Sequence, residues 1–157
     1  KMNKVLELLE PTAIIYNLEA KDPNEILAKL GELLMEAGYV KDSFTQGAIE
    51  REKNFPTGLE LGGGINAAIP HTDIVHVIKP GLALATLKNP VNFKNMGNKD
   101  QDIPCRLVFV MALNEAHAQV EMLRELATIL QEPSTLEELI KAKNYQDVMN
   151  AISKSKD

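Results

Sequence analysis

The feature that most constrains this chain is the run Leu107-Val108-Phe109-Val110-Met111-Ala112-Leu113, apolar at every position. Successive side chains of a strand point to opposite faces, so an unbroken apolar run of this length suits a strand covered on both sides. A helical pattern follows almost at once. Ala116, Val120, Leu123, Ala127 and Leu130 fall on one face, and Glu121, Arg124, Glu125 and Thr128 on the other. A doubly covered strand feeding a helix is the signature of an α/β sandwich, in which helices pack on a sheet.

The rest of the chain repeats that alternation. Val5-Leu6 and Leu8-Leu9 predict a short helix, and Ala13-Ile14-Ile15-Tyr16 a short strand. Asp22-Pro23-Asn24-Glu25 is a helix start: Asp22 caps, Pro23 takes the first helical position and Glu25 completes a capping box. Ile26, Leu30, Leu33 and Leu34 give its apolar face, and Gly38 ends it. Asp42 is placed to cap a second helix running to about Asn54, broken by Pro56-Thr57-Gly58. Ala67-Ala68-Ile69 reads as a buried strand after the turn Gly62-Gly63-Gly64. The run Leu82-Ala83-Leu84-Ala85-Thr86-Leu87 ends at Asn89-Pro90, and the polar residues 93–102, with Gly97, form a loop or hairpin turn. Ser134-Thr135-Leu136-Glu137 offers another capping box before one or two closing helices.

At 157 residues the chain suits one domain, spanning 1–157. A net charge of -5, with no basic face, argues against nucleic-acid binding. Without Trp, and with only three Tyr and four Phe, there is no base-stacking platform. No apolar run reaches membrane-spanning length, no signal-peptide pattern opens the chain, and Cys105 has no partner for an intramolecular disulfide. These features point to a cytoplasmic protein. Lys1-Met2 fits a nearly complete free-standing chain carrying one leading residue.

The candidate chemistry centres on Ile69-Pro70-His71. His71 stands at the carboxyl end of a predicted strand, where open α/β sheets place their ligands. His117 follows the 107–113 strand, in the first turn of the next helix, at the same type of edge. A neutral imidazole with one free lone pair accepts a phosphoryl group, provided the other ring nitrogen is held. The incoming charge calls for an arginine, and Arg51 is the candidate, with Thr57 supplying a hydroxyl. Each residue also has a plainer reading. His71 fits a core histidine, His117 a solvated first-turn residue, Arg51 part of the solvated face Glu50-Arg51-Glu52-Lys53, and Thr57 a turn stabiliser. His76 reads as a half-buried or exposed strand residue, turned away from His71 and Asp73, which weakens a metal site built on the three. Cys105 reads as packing material.

Arg51-Glu52, Pro56-Thr57-Gly58, the glycines, Ala68-Ile69-Pro70-His71 and Asn114-Glu115-Ala116-His117, in that order, resemble the mannitol/fructose-type enzyme IIA domain of the bacterial phosphoenolpyruvate-dependent sugar phosphotransferase system. The resemblance covers nearly the whole chain from about Pro23, and Phe55-Pro56-Thr57-Gly58 leans toward the galactitol-like branch. It implies an α/β/α sandwich with a mixed central sheet. It also implies that His71 accepts a phosphoryl group from the carrier HPr and passes it to a cysteine of the cognate enzyme IIB, with Arg51 and His117 stabilising it. Membrane enzyme IIC would be met only indirectly, and neither metal nor cofactor is needed. Asn66-Ala67 departs from the more apolar pair of relatives. Two other readings stand beside this one: a regulatory phosphoacceptor of the nitrogen-regulatory enzyme IIA kind, and a metal-dependent hydrolase using His71, His76 and His117.

Overall fold

The computed structural model describes residues 3–154, so the reading of Lys1-Met2 lies outside the described residues. The chain runs α1 (Lys4–Leu8), β1 (Leu9–Leu18), α2 (Pro23–Glu36), α3 (Phe44–Asn54), β2 (Gly58–Leu59), β3 (Asn66–Ala68), a 3-10 turn (Ile74–His76), β4 (Gly81–Asn95), β5 (Asn98–Ala112), α4 (Ala116–Ile129), α5 (Pro133–Lys141) and α6 (Tyr145–Ser153). No helix among the described residues is long and apolar enough to cross a membrane.

The 107–113 run behaves as its pattern requires. Leu107, Phe109 and Met111 enter one apolar cluster with residues of α1, α4, α5 and α6, while Val108, Val110 and Ala112 enter a second with residues of α2 and α3. Burying each large apolar side chain contributes about 1.5–3 kcal/mol, so this strand anchors both layers at once. The sheet is mixed and flanked by helices, as expected: β1 is parallel to β4, β4 antiparallel to β5, and β5 parallel to β3. β3 pairs antiparallel with β2, and β2 returns to β4 through Gly58 and Asn95. The pairings thus close in a ring, β4–β5–β3–β2–β4. Gly58 permits the closure, since a Cβ there would lie 2.7 Å from the Lys94 carbonyl oxygen. Among the described strands β1 pairs only with β4, with two register irregularities, and its Asn17 has φ 56.

Several expectations need correction. β4 does not end at Asn89-Pro90. The strand absorbs them in an irregularity between Thr86 and Val91, where Pro90 is exposed and Arg106 Nε donates to the Leu87 carbonyl at 2.7 Å. Residues 93–102 are a hairpin whose turn is only Met96-Gly97, with Asn95 opposite Asn98. Asp42 is not the cap of α3: that place falls to Ser43, whose hydroxyl is bonded to His76 instead. Pro133 takes the first position of α5, which moves Ser134 inside the helix and removes the second capping box. The buried face of α4 is Met122, Leu126 and Ile129, continued by Leu130, with Val120 53% exposed. Met122 and Ile129, which the reading left out, set the rotation of that helix.

Other local signals read through. Asp22 Oδ1 accepts the Glu25 N–H at 2.9 Å, while Glu25 reaches back to the Lys21 N–H rather than that of the cap itself. Gly38 follows α2 with φ 88. The unusual Asn66 is buried and satisfied, accepting from Leu61 N–H and donating to the Pro104 carbonyl, so it clamps the glycine turn to β5.

Candidate functional site

Parallel pairing of β3 with β5, Ala68 opposite Val108, brings the carboxyl ends of these two strands to one edge of the sheet. The ladder continues one bond beyond β3, where Met111 N–H donates to the Pro70 carbonyl at 2.9 Å. His71 is the next residue. α4 leaves β5 at the same edge, and Gln119 Nε2 donates to the Thr72 carbonyl at 2.9 Å, tying the start of α4 to the residue after His71. The edge that sequence reasoning inferred for both histidines is therefore common to them.

The His71 ring is half-buried, with Nδ1 3.1 Å from the Ile69 carbonyl oxygen. A carbonyl oxygen only accepts, so Nδ1 carries the proton and the neutral ring keeps its lone pair on Nε2. Burial pushes the imidazole below its ordinary range. The Ile69 carbonyl works against that, the Arg51 charge adds to it, and Asp73 offsets it in part. At neutral pH the ring is neutral, with Nδ1 held and Nε2 without a hydrogen bond among the described residues.

Arg51 lies in the last turn of α3. Its Nη1 is 3.5 Å from Asp73 Oδ1, and its guanidinium stacks over the Phe55 ring at 4.9 Å. Its Nε is enclosed and makes no hydrogen bond among the described residues. Leaving such a donor unpaired costs about 1–3 kcal/mol, which an anion in reach would relieve. Beside it opens a cleft of about 290 Å³ lined by Gly47, Glu50, Arg51, Asn54, Phe55, Thr72, Asp73 and His76. The mixed run 50–53 is thus divided: Glu50 and Lys53 are exposed, Arg51 and Glu52 half-buried.

His117 is 86% exposed and its Nε2 lies 3.4 Å from Glu121 Oε2, so its ring faces solvent beside α4 rather than the cleft. Thr57 is buried. Its hydroxyl donates to Glu52 Oε1 at 2.8 Å and accepts from Ile69 N–H at 3.2 Å, so it supports the His71 segment from beneath instead of meeting an incoming group. His76 is not on a strand. It ends the 3-10 turn, with Nδ1 2.7 Å from Ser43 Oγ, and its ring sits on Gly47, where a Cβ would approach it to 3.0 Å. The three histidines of the hydrolase reading thus turn to three separate partners, Ile69, Ser43 and Glu121. Among the described residues no group of three or more His, Cys, Asp or Glu side chains is arranged to hold a metal ion. Cys105 is buried, its Sγ pointing to the Ile103 carbonyl, and burial first, then the Glu52 charge, pushes the thiol up to about 12.

Sequence reasoning missed Glu52 as a site residue. Both its carboxylate oxygens accept from Thr57, from the backbone N–H and from the hydroxyl, each at 2.8 Å. Burial lifts its pKa to about 7, against the pull of those two bonds. The signal was present in the pairing of Arg51-Glu52 with Thr57 five residues on, but a carboxylate in a mixed charge run looks like any solvated one.

The chain matches the family described as phosphoenolpyruvate-dependent sugar phosphotransferase system, EIIA 2, over residues 7–155. It is 33% identical over 119 residues to the galactitol-specific EIIA component of Escherichia coli strain K12, covering 76% of this chain and 78% of that protein. It is 28% identical over 154 residues to the fructose-specific EIIABC component of Bacillus subtilis strain 168, covering 96% of this chain but 23% of that longer protein. Among solved structures, the complex of the mannitol enzyme IIA with phosphorylated mannitol enzyme IIB from Escherichia coli aligns with a TM-score of 0.74 at 27% identity, over 92% of this chain and 96% of the other. The match over nearly all of the chain and the shared α/β sandwich agree: the chain belongs to the EIIA type 2 family, the phosphotransferase components of the sugar phosphotransferase system.

Proposed function

We propose that this protein, as a single domain, carries a phosphoryl group on His71 Nε2, taking it from the phosphohistidine of HPr and passing it to a cysteine of a cognate enzyme IIB. The observation that carries this reading is the Nδ1–Ile69 carbonyl contact, which leaves Nε2 as the nitrogen with a lone pair. In the first step Nε2 attacks phosphorus as the P–N bond to HPr breaks, and the departing imidazole keeps that electron pair. In the second, a cysteine thiolate attacks phosphorus and the P–N bond electrons return to His71. Such transfers have loose transition states with charge on the equatorial oxygens, so positioning and positive charge supply most of the catalysis. Arg51, with its unpaired Nε, is the charge partner; His117 reaches the phosphoryl group by swinging from Glu121. The steps call for no metal or nucleotide.

The apolar side chains exposed after His71, Ile74, Val75 and Ile78, fit a transient docking face that both partners use in turn. On this reading HPr and enzyme IIB exclude one another, enzyme IIC is met only through enzyme IIB, and nucleic acid has no place. A galactitol-like sugar alcohol is the favoured cargo, supported by the 33% identity with the galactitol-specific component. The working place is the cytoplasm, where both soluble partners would be found.

The test mixes the protein with phosphoenolpyruvate, enzyme I and HPr, maps the labelled residue, and then adds enzyme IIB proteins of several sugar classes. Label on His71, absent in His71→Ala, and onward transfer to a galactitol-class enzyme IIB are expected. Label elsewhere would overturn the acceptor assignment. Phosphorylation without transfer to any enzyme IIB would favour the regulatory role.

A further inference from the structure

Glu52 makes an arrangement that stability alone does not explain. Its carboxylate is half-buried, yet it does not pair with the neighbouring Arg51, whose guanidinium turns to Asp73 and Phe55. Its two bonds go to Thr57, from the backbone N–H and the hydroxyl. A buried carboxylate held only by neutral donors is an expensive choice where a smaller polar or apolar side chain would fill the space.

What the carboxylate supplies is two acceptors and no donor. Because the Thr57 hydroxyl gives its proton to Glu52, its lone pair is left to face Ile69 N–H, which it accepts at 3.2 Å, with the Thr57 carbonyl sharing that N–H at 3.3 Å. On the other side, β5 holds the same segment through Met111 N–H and the Pro70 carbonyl. The segment Ile69-Pro70 is therefore gripped from both flanks, and it is the Ile69 carbonyl that accepts the hydrogen bond from Nδ1–H of His71. Thr57 and Ile69 are 2% and 0% exposed, so water cannot replace a lost link.

We propose that Glu52 is a positioning residue for phosphoryl transfer: through Thr57 and Ile69 it fixes the His71 ring in the tautomer that leaves Nε2 free. The inference rests on the reading of His71 as acceptor. A glutamine at this place has one acceptor and one donor group, so it satisfies only one of the two Thr57 donors and loosens the Ile69 carbonyl. With its carboxyl pushed up to about 7, Glu52 is an acceptor-only carboxylate on the alkaline side of neutrality.

The test uses the full chain, labelled with nitrogen-15, and compares wild type with Glu52→Gln, Thr57→Val and Thr57→Ser. Two quantities are read under mildly alkaline conditions: the His71 ring nitrogen shifts, which report the tautomer, and the rate of phosphoryl uptake from phospho-HPr. Glu52→Gln and Thr57→Val are expected to move the ring toward a mixture of tautomers and to slow uptake about tenfold at saturating phospho-HPr, the scale of one lost buried hydrogen bond. Thr57→Ser restores both. If wild type is labelled on His71 but Glu52→Gln keeps its tautomer and its rate, the positioning role is wrong and the acceptor reading stands. If wild type is not labelled on His71, the acceptor reading itself falls. Should Glu52→Gln fail to fold, the Thr57 pair decides: a valine variant as fast as the serine variant overturns the proposal.

Discussion

Glu52→Gln should also change how stability depends on pH. Burial lifts the Glu52 carboxyl from 4.5 to about 7, so the folded protein holds that proton more tightly than the unfolded chain does. The sign follows from linkage: above about pH 7 the folded state carries a charge it disfavours, and the penalty fades as pH falls toward the unfolded value of 4.5. A rise from 4.5 to about 7, at about 1.4 kcal/mol per pH unit, amounts to between about 3 and 4 kcal/mol over the full titration. Glutamine does not titrate. The difference in unfolding free energy, wild type minus Glu52→Gln, should therefore rise by about 3 kcal/mol between pH 7 and pH 4.5. His71 works the other way: its lowered pKa contributes stability that is lost as pH falls below 6.5, so both proteins are compared in a His71→Ala background, which takes it out of the difference. The bond that glutamine fails to make with Thr57, worth about 1 kcal/mol, displaces the whole curve without tilting it. Urea unfolding of both proteins across that range is the assay. A flat difference, or one that falls toward acid, would refute a buried carboxyl with a raised pKa.

The remaining predictions concern the cleft, the ring closure and the core. Arg51→Ala should slow phosphoryl uptake from phospho-HPr by about 10- to 100-fold without lowering unfolding free energy by more than about 1 kcal/mol, because its ion-pair partner Asp73 is 71% exposed and the unpaired Nε is removed with it. Rapid-quench kinetics beside urea unfolding measure this, and a normal transfer rate would remove Arg51 from the site. Gly58→Ala should destabilise the fold by about 1–3 kcal/mol through the clash with the Lys94 carbonyl, and speed hydrogen exchange of the Met96 N–H that Gly58 accepts; unchanged exchange there would argue against the close approach. Cys105, with its thiol pushed up to about 12 and no exposure, should resist iodoacetamide at neutral pH until the protein unfolds. Rapid labelling of the native protein would contradict that burial.

Sequence pattern carried the layers and the place of His71 at a strand's end further than it carried the details between them. The 107–113 run stated its own two-sided burial, and Asp22-Pro23 announced α2, because both signals are local. The adjacency of β3 and β5, on which the common edge of His71 and His117 depends, arises from pairing between residues about forty apart and leaves no mark in either segment. Pro90 misled for a related reason: it breaks an interior strand, but here it is exposed in an irregularity. The face of α4 was misread because one set of helical spacings was followed while Met122 and Ile129 were left out. Glu52 escaped notice because burial, not residue type, distinguishes it from Glu50.

The irregular β1 has a consequence for life at high concentration. β1 is bonded to β4 on one side, so its other side is a flank, among the described strands, on which a foreign strand could add. Such edges seed clumping when neighbouring molecules extend the ladder. Here Pro11 has no N–H to offer, the Thr12 N–H is already bonded to the Glu10 carboxylate at 2.9 Å, and the left-handed turn at Asn17 bends the strand's end. Two register irregularities further spoil the straight row of groups that an incoming strand would need. The flank is blunted at Pro11-Thr12 and bent at Asn17, which hinders crowded copies of this domain from zipping together through β1.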